Sequence, residues 1–293
     1  MDGESQRGTW LEVALNGAWT RQRQPRIPIT VQDIVEEGIA CVNAGAAIVH
    51  AHVYDETTGQ QTQDPDVYAA IIEGIRNKVD AIVYPTIPAA EPAPNPARQR
   101  FAHVEELARR GLIEWTAVDP GSTNIALYDD LLVDQPGSVY LNSEEDVRHG
   151  LKLAMRYGLH PSYAIYEPGF ARLGATLHWR ESCPAPVYRF MFSSGYTFGF
   201  PPDDYALTAY LKLLDQVAPG AIWMVAGLQV DILPMIPRAV AEGGHVRVGL
   251  EDAPWGSDKS NLEWVQEAVR RIENSGGGLA TAQEVRAELS PDE

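Results

Sequence analysis

The chain has 293 residues with 45% hydrophobic side chains and a net charge of -17, from 23 Lys and Arg against 40 Asp and Glu. That balance favours a globular chain with a substantial core and argues against disorder, nucleic-acid binding and attachment to an anionic membrane. Two cysteines, Cys41 and Cys183, lie far apart, so neither a disulfide framework nor a thiolate metal cluster is expected. MDGESQRGTW has no apolar core of a signal peptide, no apolar run reaches membrane-spanning length, and a cytoplasmic protein is expected.

In chain order, 10–16 (WLEVALN) reads as a first strand. The loop GAWTRQRQPRIP follows, with Arg21, Arg23 and Arg26 as either a solvated loop or a site for an anionic group. Thr30 is placed to cap a helix to about Asn43 that stops at Gly45. The run 47–55, AIVHAHVYD, is a second strand. Its alternation puts Ile48, His50, His52 and Tyr54 on one face, opposite a wholly apolar Val49, Ala51 and Val53. Two imidazoles on one face either share a divalent metal or are hydrogen-bonded in a core.

A helix over 66–77, a short strand at 81–84 and a proline-rich loop over 85–96 come next. Asn95 and Pro96 fit the cap and first turn of a helix to about 110. A fourth strand over 113–118 leads into the loop DPGSTN, and 143–157 is helical with Glu144, Glu145 and Asp146 in its first turn. Strands at 162–166 and 187–192, a helix over 203–217, a strand at 221–226 and a helix over 230–242 precede the eighth strand, 245–250. Helices over 261–272 and, past SGGG, 282–289 close the chain. Eight strands alternating with helices and no composition break predict a single (β/α)8 barrel over 1–293 with an extra C-terminal helix. A doubly wound open sheet is the rival, weakened by the lack of GxGxxG after the first strand.

In HVRVGLED, Arg247, Gly249 and Glu251 share one face, and Val246, Val248 and Leu250 the other. With the apolar face against helices, Arg247 and Glu251 point into the barrel, where charge needs a partner or a metal. An inward carboxylate at the end of strand eight can meet inward histidines at the end of strand two. His50, His52 and Glu251 are then a three-ligand metal site with an open position; a structural Arg247–Glu251 ion pair is the alternative.

HAHVYDETTGQQTQDPDVY, DPGSTN, WMVAG and RVGLEDAPWG together resemble the β-keto acid cleavage enzyme family, along nearly the whole chain. The resemblance implies a (β/α)8 barrel, usually zinc or another divalent metal, and homo-oligomers, often tetramers. It also implies a retro-Claisen type reaction in which a β-keto acid and acetyl-CoA become acetoacetate and a new acyl-CoA. By the same resemblance His50, His52 and Glu251 are metal ligands, and Arg247 and Asp252 the catalytic pair. Four positions depart from the family pattern. Tyr54 stands for an arginine, Trp19 for an acidic residue, Pro85, Thr86, Ile87 and Pro88 for a Ser/Thr-Gly-Gly run, and Asp119 for a threonine. Trp19, Tyr54, Thr86 and Asp119 are therefore the expected substrate contacts, with Asp119 suited to a cationic group and Trp19 and Tyr54 to a bulky or quaternary one. Arg21, Arg23 and Arg26 are the candidates for the phosphates of CoA. The altered positions keep open an aldolase, hydrolase or decarboxylase acting on a keto acid without CoA. A non-catalytic zinc barrel is less favoured, because a structural zinc site is normally closed by a fourth protein ligand.

Overall fold

A computed structural model describes residues 7–89 and 96–290. Its barrel strands are β1 Leu11–Ala14, β2 Ile48–Ala51, β3 Ile82–Pro85, β4 Trp115–Ala117, β5 His160–Ile165, β6 Val187–Phe192, β7 Trp223–Gly227 and β8 His245–Val248. All ladders between them are parallel, in the order β3-β2-β1-β8-β7-β6-β5-β4, and β3 and β4 meet across the remaining seam. The helices between them are α1 Val31–Asn43, α2 Pro65–Arg76, α3 Ala102–Arg109, α4 Glu144–Tyr157, α5 Pro168–Glu181, α6 Asp204–Val217, α7 Ile236–Ala241 and α8 Asn261–Asn274, followed by α9 Ala282–Leu289. This is a (β/α)8 barrel.

The local chemistry explains the boundaries. Thr30 caps α1 by accepting from the Asp33 N–H, Asp64 caps α2 ahead of Pro65, and reciprocal Ser/Thr–acid boxes start α4, α8 and α9. Asn95, expected to cap a helix, lies outside the described residues; the helix expected to start at Pro96 is divided at Phe101 into a short helix Pro96–Arg100 and α3. The eighth strand ends at Val248, two residues before its expected limit. Gly249 follows at φ +136°, and a Cβ there would lie 2.2 Å from the Ala14 carbonyl oxygen, so only glycine permits this bend. The expected helix over 230–242 is shorter, a 3₁₀ turn at Leu233–Met235 and then α7, because Pro234 and Pro237 withhold backbone donors.

A helix and two hairpins went unexpected. Helix α5 begins with Pro168 in its first turn and carries Gly174, where a Cβ would lie 2.7 Å from the Tyr163 ring; that glycine permits close packing of helix on strand. Beyond the β4 loop, Thr123–Ile125 pairs antiparallel with Ser138–Tyr140 to form a hairpin at the barrel mouth. A second small hairpin pairs Val53–Tyr54 with Gln61–Thr62 directly after the histidine strand.

The barrel interior is layered. At the amino ends of the strands Trp10 stacks on His245 with centroids 4.3 Å apart, and Trp115 tilts against Trp10 at 6.1 Å. Above them Glu12, Tyr84 and Ser162 come from alternate strands, Tyr84 Oη donating to Glu12 Oε1 at 2.6 Å. The even strands then supply His50, Ala117, Arg189 and Arg247, the four-from-alternate-strands pattern of this fold. These last four open onto a cavity.

Candidate active site

The cavity occupies about 540 Å³ at the carboxyl ends of the strands, where the βα loops of this fold gather. His50 is at the end of β2, and His52 follows where the chain passes into the small hairpin; their rings are 5.4 Å apart and nearly perpendicular. Glu251 arrives from the bend after β8. Its Oε2 lies 3.5 Å from His50 Nε2 and its Oε1 3.5 Å from His52 Nε2. Ligand atoms of all three residues fall within 4.8 Å of one another.

These residues suit a divalent ion. Two imidazole nitrogens and a carboxylate are a zinc-type donor set. Buried His52 Nε2 and Glu251 Oε2 have no hydrogen-bond partner among the described residues, so their lone pairs are uncommitted. Gln61, on the small hairpin, meets the other His52 nitrogen, Nδ1, at 2.8 Å. The Gln61 amide nitrogen faces Nδ1 and holds the ring in place, with Nε2 directed at Glu251. Burial holds the His50 imidazole well below its ordinary 6.5, outweighing the Glu251 carboxylate, so the ring is neutral as a ligand must be.

Arg247 is fully buried beside this cluster. It forks onto Asp252 with Nε to Oδ2 and Nη2 to Oδ1 both at 2.8 Å, and reaches Glu12 Oε1 at 3.1 Å and Glu251 Oε1 at 2.9 Å. Burial would raise the Glu251 carboxyl, but Arg247 and the two histidines hold it well below the usual range. Asp252 shifts the other way. Burial pushes it up to about 6 against the pull of Arg247. Asp252 itself stands behind Arg247 and does not line the cavity.

The other expected contacts divide. Trp19, Thr86, Asp119 and Arg23 line the cavity. Trp19 Nε1 donates to the Glu251 carbonyl at 2.7 Å and its ring meets Trp255 edge-on, so it braces the bend that presents Glu251. Arg23 lies over the Trp255 ring at 4.5 Å. Asp119 is occupied within the fold, with Oδ1 accepting from the Ala164 N–H at 3.0 Å and Oδ2 from the Tyr140 hydroxyl. Tyr54 does not reach the cavity, because its hydroxyl donates to the Gly17 and Trp19 carbonyls. Alternation ends at His52, where the chain leaves β2, and the common face expected for Tyr54 ends with it. Arg21 and Arg26 are also elsewhere. Arg21 faces Asp33 at 3.5 Å and Arg26 pairs with Glu263 at 3.2 Å, drawn to acidic groups at the starts of α1 and α8.

Unforeseen contributors are Glu12, Gln61, Arg189 and the hairpin residues Ile125, Ser138 and Tyr140. Glu12 and Arg189 carried a signal, a charge inside an otherwise apolar strand. The hairpin's three-residue strands were too short to show a period.

A barrel with clustered histidines, carboxylates and arginines in a concave site at its carboxyl end is the architecture of a (β/α)8-barrel enzyme. Residues 9–290 match the family model described as beta-keto acid cleavage enzyme, and the chain belongs to that family. It is 27% identical over 286 residues to the 3-keto-5-aminohexanoate cleavage enzyme of Fusobacterium nucleatum, covering 96% of this chain and 97% of that one. It is 25% identical to the 3-dehydrocarnitine:acetyl-CoA trimethylamine transferase of Rhizobium meliloti, covering 97% and 96%. Among solved structures, a ternary complex of ObcA with a C4-CoA adduct and oxalate superposes with a TM-score of 0.70 at 17% identity, over 91% of this chain and 68% of that one, a likeness of fold.

Proposed function

We propose that this protein transfers an acyl group from a β-keto acid to CoA, using acetyl-CoA as co-substrate and zinc or another divalent ion held by His50, His52 and Glu251. The keto acid R–CO–CH2–COO⁻ and acetyl-CoA give acetoacetate and R–CO–CoA, so atoms and charge balance. The observation that carries the reading is the cluster of two imidazoles and a carboxylate, with uncommitted lone pairs, in contact with Arg247 inside the cavity. Full-length relationship to an acetyl-CoA-dependent transferase of Rhizobium meliloti supports the use of CoA.

When bound, the metal supplies Lewis-acid polarisation of the keto oxygen. The protein's own groups do the rest. Arg247, permanently charged and desolvated, faces the anionic charge that develops on the reacting oxygen, where a preorganised donor is strongest. It already serves three carboxylates, and a substrate anion competes with them. Asp252, forked onto Arg247 from behind and off the cavity lining, acts through that arginine by fixing its position and charge while the C2 proton leaves, before C2 attacks the thioester carbonyl. Arg23, at the mouth against Trp255, is the remaining arginine of the first loop placed to meet a CoA phosphate.

Acetoacetate release from a panel of β-keto acids tests this, measured with and without acetyl-CoA on metal-stripped and zinc-reconstituted protein. Turnover that needs both supports the proposal. Turnover without a thioester would establish the aldolase or decarboxylase reading. Turnover indifferent to chelation would remove the metal.

A further inference from the structure

Arg189 is buried in the middle of β6 and lines the cavity floor. Arg247, in the same layer two strands away, is held by Glu12, Glu251 and Asp252. Arg100, the other buried arginine among the described residues, is satisfied in part by the Pro88 and Leu141 carbonyls. Arg189 has no such support. Among the described residues no carboxylate lies within ion-pair distance of it, its guanidinium makes no hydrogen bond, and its buried Nε is orphaned. A buried, unmatched guanidinium is destabilising by several kcal/mol unless something else meets it.

The surroundings leave that partner to come from the cavity. In register with Arg189 stand Ala164 on β5 and Met224 on β7, neither able to accept a hydrogen bond from it through its side chain at useful strength. Ala117 on β4 is equally small, so the floor beside Arg189 is open. Tyr166 lines the cavity with Arg189, and the nearby carboxylates Glu12 and Asp119 act on Arg189 without coming within ion-pair distance, being engaged by Arg247 and Tyr84 and by Tyr140 and the Ala164 amide.

Position then fixes which anion. In the strand order, β6 lies four strands from β2, diametrically across the barrel from His50. A β-keto acid engaged at the His50, His52 and Glu251 wall therefore directs its far end toward Arg189. We infer that Arg189 is a specificity-determining residue that receives a second, distal carboxylate, making the preferred substrate a β-keto dicarboxylic acid. The planar fork of arginine matches a planar carboxylate in two parallel hydrogen bonds. The same charge disfavours a substrate with a cationic tail, and Asp119, whose oxygens are bound by the Ala164 amide and Tyr140, is poorly placed to welcome one. This inference rests on the proposed reaction for the pose of the substrate, though not for the existence of the anion subsite.

Two measurements separate them. Acetyl-CoA-dependent turnover is compared for 3-oxoadipate and 3-oxopimelate against 3-oxohexanoate and 3-oxoheptanoate, and binding of adipate, which cannot react, is followed by calorimetry. Wild-type protein is expected to favour each diacid over its monoacid by about 10² in kcat/KM, the scale of a charge-assisted bidentate contact. Arg189→Met should abolish that ratio and adipate binding. Arg189→Lys, which keeps the charge but not the fork, should retain an intermediate ratio. Equal use of diacids and monoacids by wild type, or a ratio unchanged in both variants, overturns the subsite while leaving the reaction intact. Adipate binding that is weakened in Arg189→Lys and lost in Arg189→Met, with no turnover of any keto acid, upholds the subsite and defeats the reaction instead. Absence of both turnover and Arg189-dependent adipate binding defeats each.

Discussion

At the amino end of the barrel His245 sits against Glu288, and at the carboxyl end His50 and His52 sit against Glu251, yet the two histidine–carboxylate groupings have different histories of satisfaction. The lower one is largely matched. His245 Nδ1 accepts the Trp10 backbone N–H at 3.0 Å, its ring stacks on the Trp10 indole, and Glu288 on α9 accepts from Trp10 Nε1 at 3.2 Å while pairing with Arg7. Helix α9 also ties Arg286 to Glu114 and Asp80, closing the floor with the last helix of the chain. The upper one keeps three buried atoms, His50 Nδ1, His52 Nε2 and Glu251 Oε2, without hydrogen-bond partners among the described residues and faces a cavity, whereas in the lower one only Glu288 Oε1, beside Arg7, lacks one. Similar chemistry is structural where nearly every atom is matched from within the chain, and poised for a ligand where several are not.

The comparison breaks most sharply if the upper group is disturbed. His50→Ala should remove most of the bound metal, read by elemental analysis, and lower turnover on the order of 10³-fold, several kcal/mol of transition-state stabilisation. Normal metal content would return the pair to a structural role. Asp252→Asn should leave the metal in place and lower kcat about 10²-fold by loosening the Arg247 fork that faces the developing oxyanion; an unchanged kcat would remove Asp252 from the positioning of Arg247. Arg247→Met is a poor probe of chemistry alone. It strands the Glu12 and Asp252 carboxylates in the interior and should cost about 3–5 kcal/mol of stability, measurable by denaturant titration.

The lower group should respond in stability only. Glu288→Ala is expected to remove about 1–3 kcal/mol, the penalty for orphaning buried partners, with kcat unaltered. Acid should find the same place. Burial lowers His245 below its ordinary 6.5, outweighing Glu288, so the unfolded chain takes up that proton more readily than the folded one. The stability tied to neutral His245 is complete above that value and declines as the pH falls below it. His245→Gln should flatten this slope between about pH 7 and 5 in thermal melts at fixed metal. A slope identical to wild type would assign the acid sensitivity elsewhere. The smallest effect belongs to the rim, where Arg23→Ala should raise the KM for acetyl-CoA about three- to tenfold and Arg26→Glu should leave it alone. The reverse ranking would restore the first-loop arginines that point outward.

Much of the barrel could be read from local pattern because its strands are buried on both faces and appear as short apolar runs. AIVH, VYRFMF and WMVAG needed no alignment to be recognised as strands. Helix α5 escaped because its glycines and Pro168 read as breakers, whereas Pro168 occupies a first turn that needs no donor and Gly174 is used for packing. The two mouth hairpins escaped because two- and three-residue strands have no period.

By itself the sequence determined the eightfold alternation, the inward pairing of His50 with His52, and the presence of Arg247 and Glu251 on one face. Spacing along a strand fixes which side chains share a face, and that is a local property. Only the tertiary structure decided which charges meet. Three carboxylates converge on Arg247 from β1 and the bend after β8, Asp119 is absorbed by Tyr140 and a backbone amide, and Arg21 and Arg26 turn to the helix starts. Arg189 is left facing the cavity without a partner because strands distant in sequence set what stands beside it. Satisfaction of a buried charge depends on neighbours supplied by barrel closure, and periodicity within one segment carries no information about them.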